Sequence, residues 1–197
     1  MIEHWATLAA SKIKNMNPEE TAPHDVLVFG FTILINLFIT FSLILLAGYL
    51  FGRPWLAFQV ALSFMVIRIL TGGAHLDRSL ACSINSLCLV VLFLWLPVTN
   101  TLILLYTAAA LLLIIRFAPY YEPHQMKHSA EWEAKKKKAA LACIALSPVL
   151  FFTLQTPGFV TGALLQALLL TPFGISATHK LNTFTNKGGD YLEKRTS

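Results

Sequence analysis

The chain has 197 residues; 56% are hydrophobic, only 13% are charged, and the mean hydropathy is +0.64. Soluble domains carry about 25% charged residues, so this chain cannot coat itself for water, and an all-α integral membrane protein is the expected class. The net charge of +5 is small and no nucleic-acid partner is expected; three cysteines (Cys82, Cys88, Cys143) at irregular spacing exclude a disulfide framework.

Residues 2–16 carry Ile2, Trp5, Leu8 or Ala9, Ile13 and Met16 at helical spacing, with Lys12 and Lys14 on the polar side. That pattern predicts an amphipathic helix on the membrane surface, ended by Asn17-Pro18-Glu19-Glu20. Apolar runs follow at about 26–50, 54–70, 79–96, 100–118, 139–156 and 158–176. A spanning helix needs about 20 apolar residues, and continuous rather than alternating runs favour helices over a barrel. The expectation is a single membrane domain over 1–197, with an interfacial helix at 1–20, about six transmembrane helices over 26–176 and a tail at 177–197. No cleavable signal peptide is expected, since the first apolar run is about twice the length of a signal h-region. Pro148 and Pro172 predict kinks. The absence of a visible internal repeat argues against a pseudo-symmetric transporter.

Charge then sets the orientation. Six spans put Lys12, Lys14, Arg78, Lys127, Lys135 to Lys138, Lys180, Lys187, Lys194 and Arg195 on one side, with Arg116 at its edge, against Arg53 alone on the other. The positive-inside rule then places both termini, and the 71–78 loop, in the cytoplasm.

That loop carries the chemistry. "RILTGGAHLDRSLAC", residues 68–82, sets Arg68, Gly72, Gly73, His75 and Cys82 between two apolar runs. The paired glycines break the helix. On one straight helix His75 and Cys82 would be separated by about 10.5 Å of rise, far outside the ~3 Å reach of an acid–base pair. If they cooperate, His75 lies on a loop that folds back before the next helix begins. Ser79 as N-cap makes Cys82 the third helical residue, and Asp77 is the competing cap. A first-turn cysteine meets the positive end of the macrodipole, which favours a thiolate, and an imidazole supplies the proton shuttle. Cys88 and Cys143, inside apolar runs, read as small hydrophobes. No metal or other cofactor is expected, because neither His75 nor Cys82 has a further His or Cys three or four residues away.

The pattern R-x-x-x-G-G-x-H-x-x-x-x-x-x-C resembles the signature of the accessory gene regulator B family, bacterial membrane cysteine endopeptidases that process precursors of cyclic quorum-sensing peptides. "RFAPYYEP" at 116–123, the basic run at 135–138 and "LLQALLLTPFG" also sit where that family has similar features, so that residues 20 to 176 fit. The resemblance implies Cys82 as nucleophile, His75 as base and then acid, and Arg68, Gly72 and Gly73 as shaping the site. It implies a substrate with an amphipathic N-terminal helix, a central segment that closes to a thiolactone or lactone through a Cys82 thioester, and an acidic C-terminal tail. A homodimer in the bacterial cytoplasmic membrane, with its site on the cytoplasmic side, is implied as well. Lys135, Lys136, Lys137 and Lys138 read equally as a dock for that tail and as an orientation signal or anionic-lipid anchor. Arg68 reads as supporting an oxyanion or positioning a carboxylate, or else as snorkelling to the interface; function is favoured because a charge within a span is costly. Asp77 reads as orienting the imidazole or capping a helix.

Two rival classes make different predictions. A thiol–disulfide oxidoreductase would pair Cys82 with Cys88, but six residues of helix separate them by about 9 Å, beyond the ~7 Å Cα limit of a disulfide. A transporter or peptide-binding membrane protein would spread polar residues along several spans, and apart from Asn36, Gln59, Asn85 and Gln166 they are scarce.

Overall fold

The computed structural model describes residues 2–122 and 129–196, with side chains as far as Asn186. Lys127 and the side chains of Lys187, Lys194 and Arg195, counted above among the cytoplasmic charges, lie outside the described residues, as does Pro123. The described residues form eight helices: α1 (Ile2–Met16), α2 (His24–Leu50), α3 (Pro54–Thr71), α4 (Ser79–Phe93), α5 (Asn100–Phe117), α6 (Ala130–Leu154), α7 (Gly158–Leu169) and α8 (Pro172–Thr196). The fold is all-helical, as expected.

Each of the six apolar runs is helical, but they differ in reach. α2, α3, α5 and α6 are long and apolar enough to cross a bilayer, and α7 with the start of α8 makes a fifth candidate bent by 73°. α4 has 15 residues, about 22 Å of helix; it ends at Phe93 and passes into a turn ahead of Pro97, short of the expected 96. Pro172 breaks α7 from α8, as its missing N–H requires. Pro148 lies inside α6 without ending it. The segment read as a tail belongs to α8.

α1 forms where the 3.6-residue period predicts it. Its small residues, Ala6 and Ala10, are fully buried in the bundle, while Trp5 and Met16 remain 65% and 77% exposed on the neighbouring face. Lys14 Nζ closes the return to α2 by donating to the Pro18 and Thr21 carbonyls at 2.7 and 3.0 Å. The outward apolar stripe is the surface an interfacial helix presents to lipid.

The centre of the bundle is the α3–α7 pair. Nine of the twelve α7 residues are buried. Between helices in lipid no hydrophobic force acts, so close packing and hydrogen bonds decide association. Gly158 and Gly162 supply the packing: a Cβ on Gly158 would strike the Gln59 side chain, and one on Gly162 would strike the Val60 carbonyl. The two helices therefore run side by side in the same direction. At one end Gln59 Oε1 accepts the Gly158 N–H at 3.1 Å and Ser63 Oγ donates to the Phe159 carbonyl at 2.6 Å. At the other end the fastening residue is Gln166, and there the site begins.

Candidate active site

Gly72 ends α3 with φ +74°, and Gly73 follows at φ +142°, both in territory that side chains avoid. The turn they make is pinned to the strand-like segment after α5. The Gly73 N–H donates to the Tyr120 carbonyl, and the Tyr120 N–H to the Thr71 carbonyl, each at 3.0 Å. Any Cβ on Gly72 would land on that Tyr120 carbonyl oxygen. Beyond the turn, Ala74 and Leu76 are buried, each 6% exposed, and His75 between them faces outward. His75 thus sits on a loop before α4, as cooperation with Cys82 demands.

Arg68, in the last turn of α3, joins the parts. Its Nη2 donates to the Ala74 carbonyl and lies 3.3 Å from His75 Nδ1; its Nη1 lies 3.4 Å from Gln166 Oε1. A guanidinium has no acceptor, so this contact is a hydrogen bond only in the tautomer that leaves the lone pair on Nδ1. The guanidinium also lines one narrow recess with Cys82, Asn85, Ser86 and Thr178. That recess offers about 10 Å³, barely the space of one water molecule. Arg68 therefore contacts His75 and shares the recess lining with Cys82, while His75 itself is not part of that lining.

Cys82 is half-buried in the first turn of α4, its N–H donating to the Arg78 carbonyl at 3.0 Å. The N-cap is Arg78, and no side chain caps the helix. Neither Ser79 nor Asp77 takes the capping role expected of it: Ser79 is the first helical residue, and Asp77 is drawn to α8. The Asp77 N–H donates to Asn182 Oδ1, and Asn186 Nδ2 donates to Asp77 Oδ2, both at 2.9 Å. A tertiary contact from about 105 residues away has outcompeted the local one. One residue past Cys82, Ser83 ties α4 to α2, donating to Asn36 Oδ1 at 2.7 Å and accepting from Thr40 Oγ1 at 2.8 Å. α8 passes beneath the loop, with Thr178 in the recess and His179 Nε2 4.0 Å from buried Glu122 Oε1.

The basic run lies on α6 itself rather than on a loop, and its members divide. Lys136 Nζ donates to the Tyr121 hydroxyl at 2.7 Å, which in turn donates to Glu133 Oε2 at 2.6 Å. Lys137 donates to the Ile115 and Ala118 carbonyls, each at 2.8 Å. Lys135 pairs with Glu131 at 2.7 Å on the exposed face, and Lys138 is exposed. Two lysines thus anchor the segment that clasps Gly72, and two face outward. Burial, then the Glu133 carboxylate, pushes the Tyr121 phenol well above its ordinary pKa, so it remains a hydroxyl donor. Cys88 and Cys143 are exposed on their helices, away from the recess, and all three cysteines are free.

Tyr120, Asn182 and Asn186 were not singled out from sequence, and Gln166 was noted only as a polar exception. A fully polar amide inside "GALLQALL" was the one signal available.

The model of the family described as Accessory gene regulator B matches residues 6–175. An AgrB-like protein of Halalkalibacterium halodurans is 44% identical over 195 residues, covering 98% of this chain and 99% of its own. No solved structure matches. A match over so much of the sequence, joined to a near full-length relative, makes the chain a member of the accessory gene regulator B family, which acts in the processing of autoinducing-peptide precursors.

Proposed function

We propose that the protein is a cysteine-type endopeptidase of the bacterial cytoplasmic membrane that cleaves a signalling propeptide and cyclises it. The observation that carries this reading is Arg68, whose guanidinium meets His75 Nδ1 and shares a recess with Cys82. One fixed positive charge thereby stands between a thiol and an imidazole at one end of the bundle, which supports the reading of the two as a catalytic pair.

The chemistry runs in two transfers. Cys82 Sγ attacks the scissile carbonyl of the propeptide while its proton leaves to His75. The C–N bond breaks, His75 returns the proton to the departing amine, and the C-terminal fragment is released. The N-terminal part remains as a Cys82 thioester. A cysteine thiol or serine hydroxyl within that part then attacks the thioester carbonyl, closes a thiolactone or lactone and restores the Cys82 thiol. Backbone N–H groups of the first turn of α4, ahead of Cys82, are the natural donors to the oxyanion, since those of Gly72 and Gly73 are already engaged.

Two physical demands fit the recess. Amide-to-thioester exchange is uphill, so loss of the cleaved tail must draw the reaction forward. Water must be kept from the acyl-enzyme, and a space of about 10 Å³ admits at most one molecule. Such a space also excludes a peptide, so binding requires the surrounding wall to move, and Thr178 of α8 is part of that wall. Lys138, and Lys135 in exchange for its exposed pair with Glu131, would meet an acidic tail or anionic lipid; Lys136 and Lys137 would serve by holding the 115–121 segment. The charge asymmetry supports cytoplasmic termini and a cytoplasmic site.

The test is co-expression with an acidic-tailed propeptide, read by mass spectrometry. The wild type yields a cyclic peptide and a free tail, while Cys82→Ala and His75→Ala each leave the precursor intact. Processing by Cys82→Ala would remove the proposal.

A further inference from the structure

We propose that Gln166 is a positioning residue of this reaction: from the interior of α7 it fixes Arg68 and the Gly72–Gly73 turn, and so sets where His75 and Cys82 stand. The proposal rests on the reading of Cys82 as nucleophile and adds to it a residue on a helix that bears none of the reacting groups.

The first argument is burial. Gln166 has 0% exposure on the most enclosed helix of the protein. A primary amide in such surroundings is costly unless its hydrogen bonds are made. They are made, and all within one short stretch. Nε2 donates to Thr71 Oγ1 at 3.1 Å and to the Gly72 carbonyl at 2.8 Å, and Oε1 lies 3.4 Å from Arg68 Nη1. Every partner belongs to residues 68–72, the last turn of α3 and its terminal glycine.

The second argument is how the amide gets there. Residues 158, 162 and 166 recur every four positions and so lie on one face of α7. The two glycines bring that face against the α3 backbone, and the third position then delivers its amide to the end of α3. The Gly73 backbone packs against the result, since a Cβ there would meet Arg68 Nη1 at 3.2 Å and Gln166 Nε2 at 3.5 Å. Guanidinium, amide and turn interlock. Arg68 is held at Nη1 by Gln166 while its Nη2 reaches Ala74 and His75.

The molecule contains its own control. Gln59 is equally enclosed, 1% exposed, and also bridges α3 to α7, but its bond goes to the Gly158 N–H at the far end of the pair. If buried glutamines serve only to fasten these helices, the two are equivalent; if Gln166 positions Arg68, they are not.

The experiment measures kcat and KM for the propeptide with full-length protein reconstituted in vesicles. Gln166→Met should lower kcat on the order of 10–100-fold with KM little changed, the cost of a misplaced catalytic group. Gln59→Met should leave kcat near wild type. Because Gln166 acts through Arg68, adding Gln166→Met to Arg68→Lys should cost far less than it does alone. Equal kcat losses in the two glutamine variants, or losses that multiply independently with Arg68→Lys, would overturn the proposal. Should Gln166→Met fail to fold, Gln166→Asn retracts the amide while keeping it polar; reduced kcat supports the proposal and wild-type kcat overturns it. If Cys82→Ala is inactive while the Gln166 variants run at full rate, only this inference falls. If Cys82→Ala still cleaves, the endopeptidase reading falls first.

Discussion

α2 and α7 are both apolar helices, yet they occupy opposite surroundings. Of the 27 residues in α2 only Ile44 and Gly48 are buried, whereas α7 buries nine of twelve. The large side chains of α2, Phe29 and Phe38 among them, are 68% and 74% exposed and dissolve the helix in lipid. Those of α7 are protein interior. Hydropathy states that neither helix can face water; it does not state which one faces lipid. The discriminating features are small residues at a four-residue interval and one amide. Gly30 of α2 has nothing within 4 Å of the place a Cβ would take, while Gly162 of α7 lies against the α3 backbone.

Substitutions can break that contrast. The largest effect belongs to the site that α7 supports: His75→Ala should reduce propeptide cleavage by about 10²–10⁴-fold, the usual worth of a positioned acid–base group. Phe38→Ala, on the lipid-facing side of α2, should leave the cleavage rate near wild type in the same assay. Next comes the α3–α7 interface. Gly162→Ala should lower stability by about 1–3 kcal/mol through overpacking, seen as a lower melting temperature and less protein in the membrane. A smaller effect is expected at the α8 clasp on the loop. Asn182→Ala with Asn186→Ala removes two hydrogen bonds to Asp77, each worth about 0.5–1.5 kcal/mol, and should lower kcat while leaving the helix content unchanged. The smallest, and opposite in sign, is Gly30→Ala, which should stabilise α2 by up to about 1 kcal/mol, the helix-propensity difference. Melting curves that moved equally for Gly30→Ala and Gly162→Ala would end the distinction between the two helices.

Legibility in the sequence followed the same division. Where a residue type alone dictates geometry, the expectation was met: Gly72 and Gly73 end α3, Pro172 ends the α7 direction, and the polar side of residues 2–16 gives α1. Arg68 stands out because a charge within a span is costly, and its guanidinium reaches Ala74, His75 and Gln166. The cap of α4 was misjudged because Asp77 has a stronger partner on α8, and no local pattern announces a contact made by Asn182 and Asn186. The lysine run falls between two apolar runs, where hydropathy drops, yet lysine is a good helix former and α6 runs through it. Gln166 stayed unassigned for a deeper reason. In an all-apolar helix no contrast between faces exists, so the period that reveals a core in water carries no information in lipid.

The central claim is that Cys82 carries the peptide as a thioester. Its most direct test uses a propeptide whose internal cysteine or serine has been replaced by alanine, so that ring closure is blocked and the acyl-enzyme accumulates. Intact-mass measurement should then find the N-terminal part of the peptide covalently joined to the protein, with the adduct mapped to Cys82, sensitive to hydroxylamine and absent in Cys82→Ala. Release of the tail with no such adduct, or an adduct that survives in Cys82→Ala, would contradict the account.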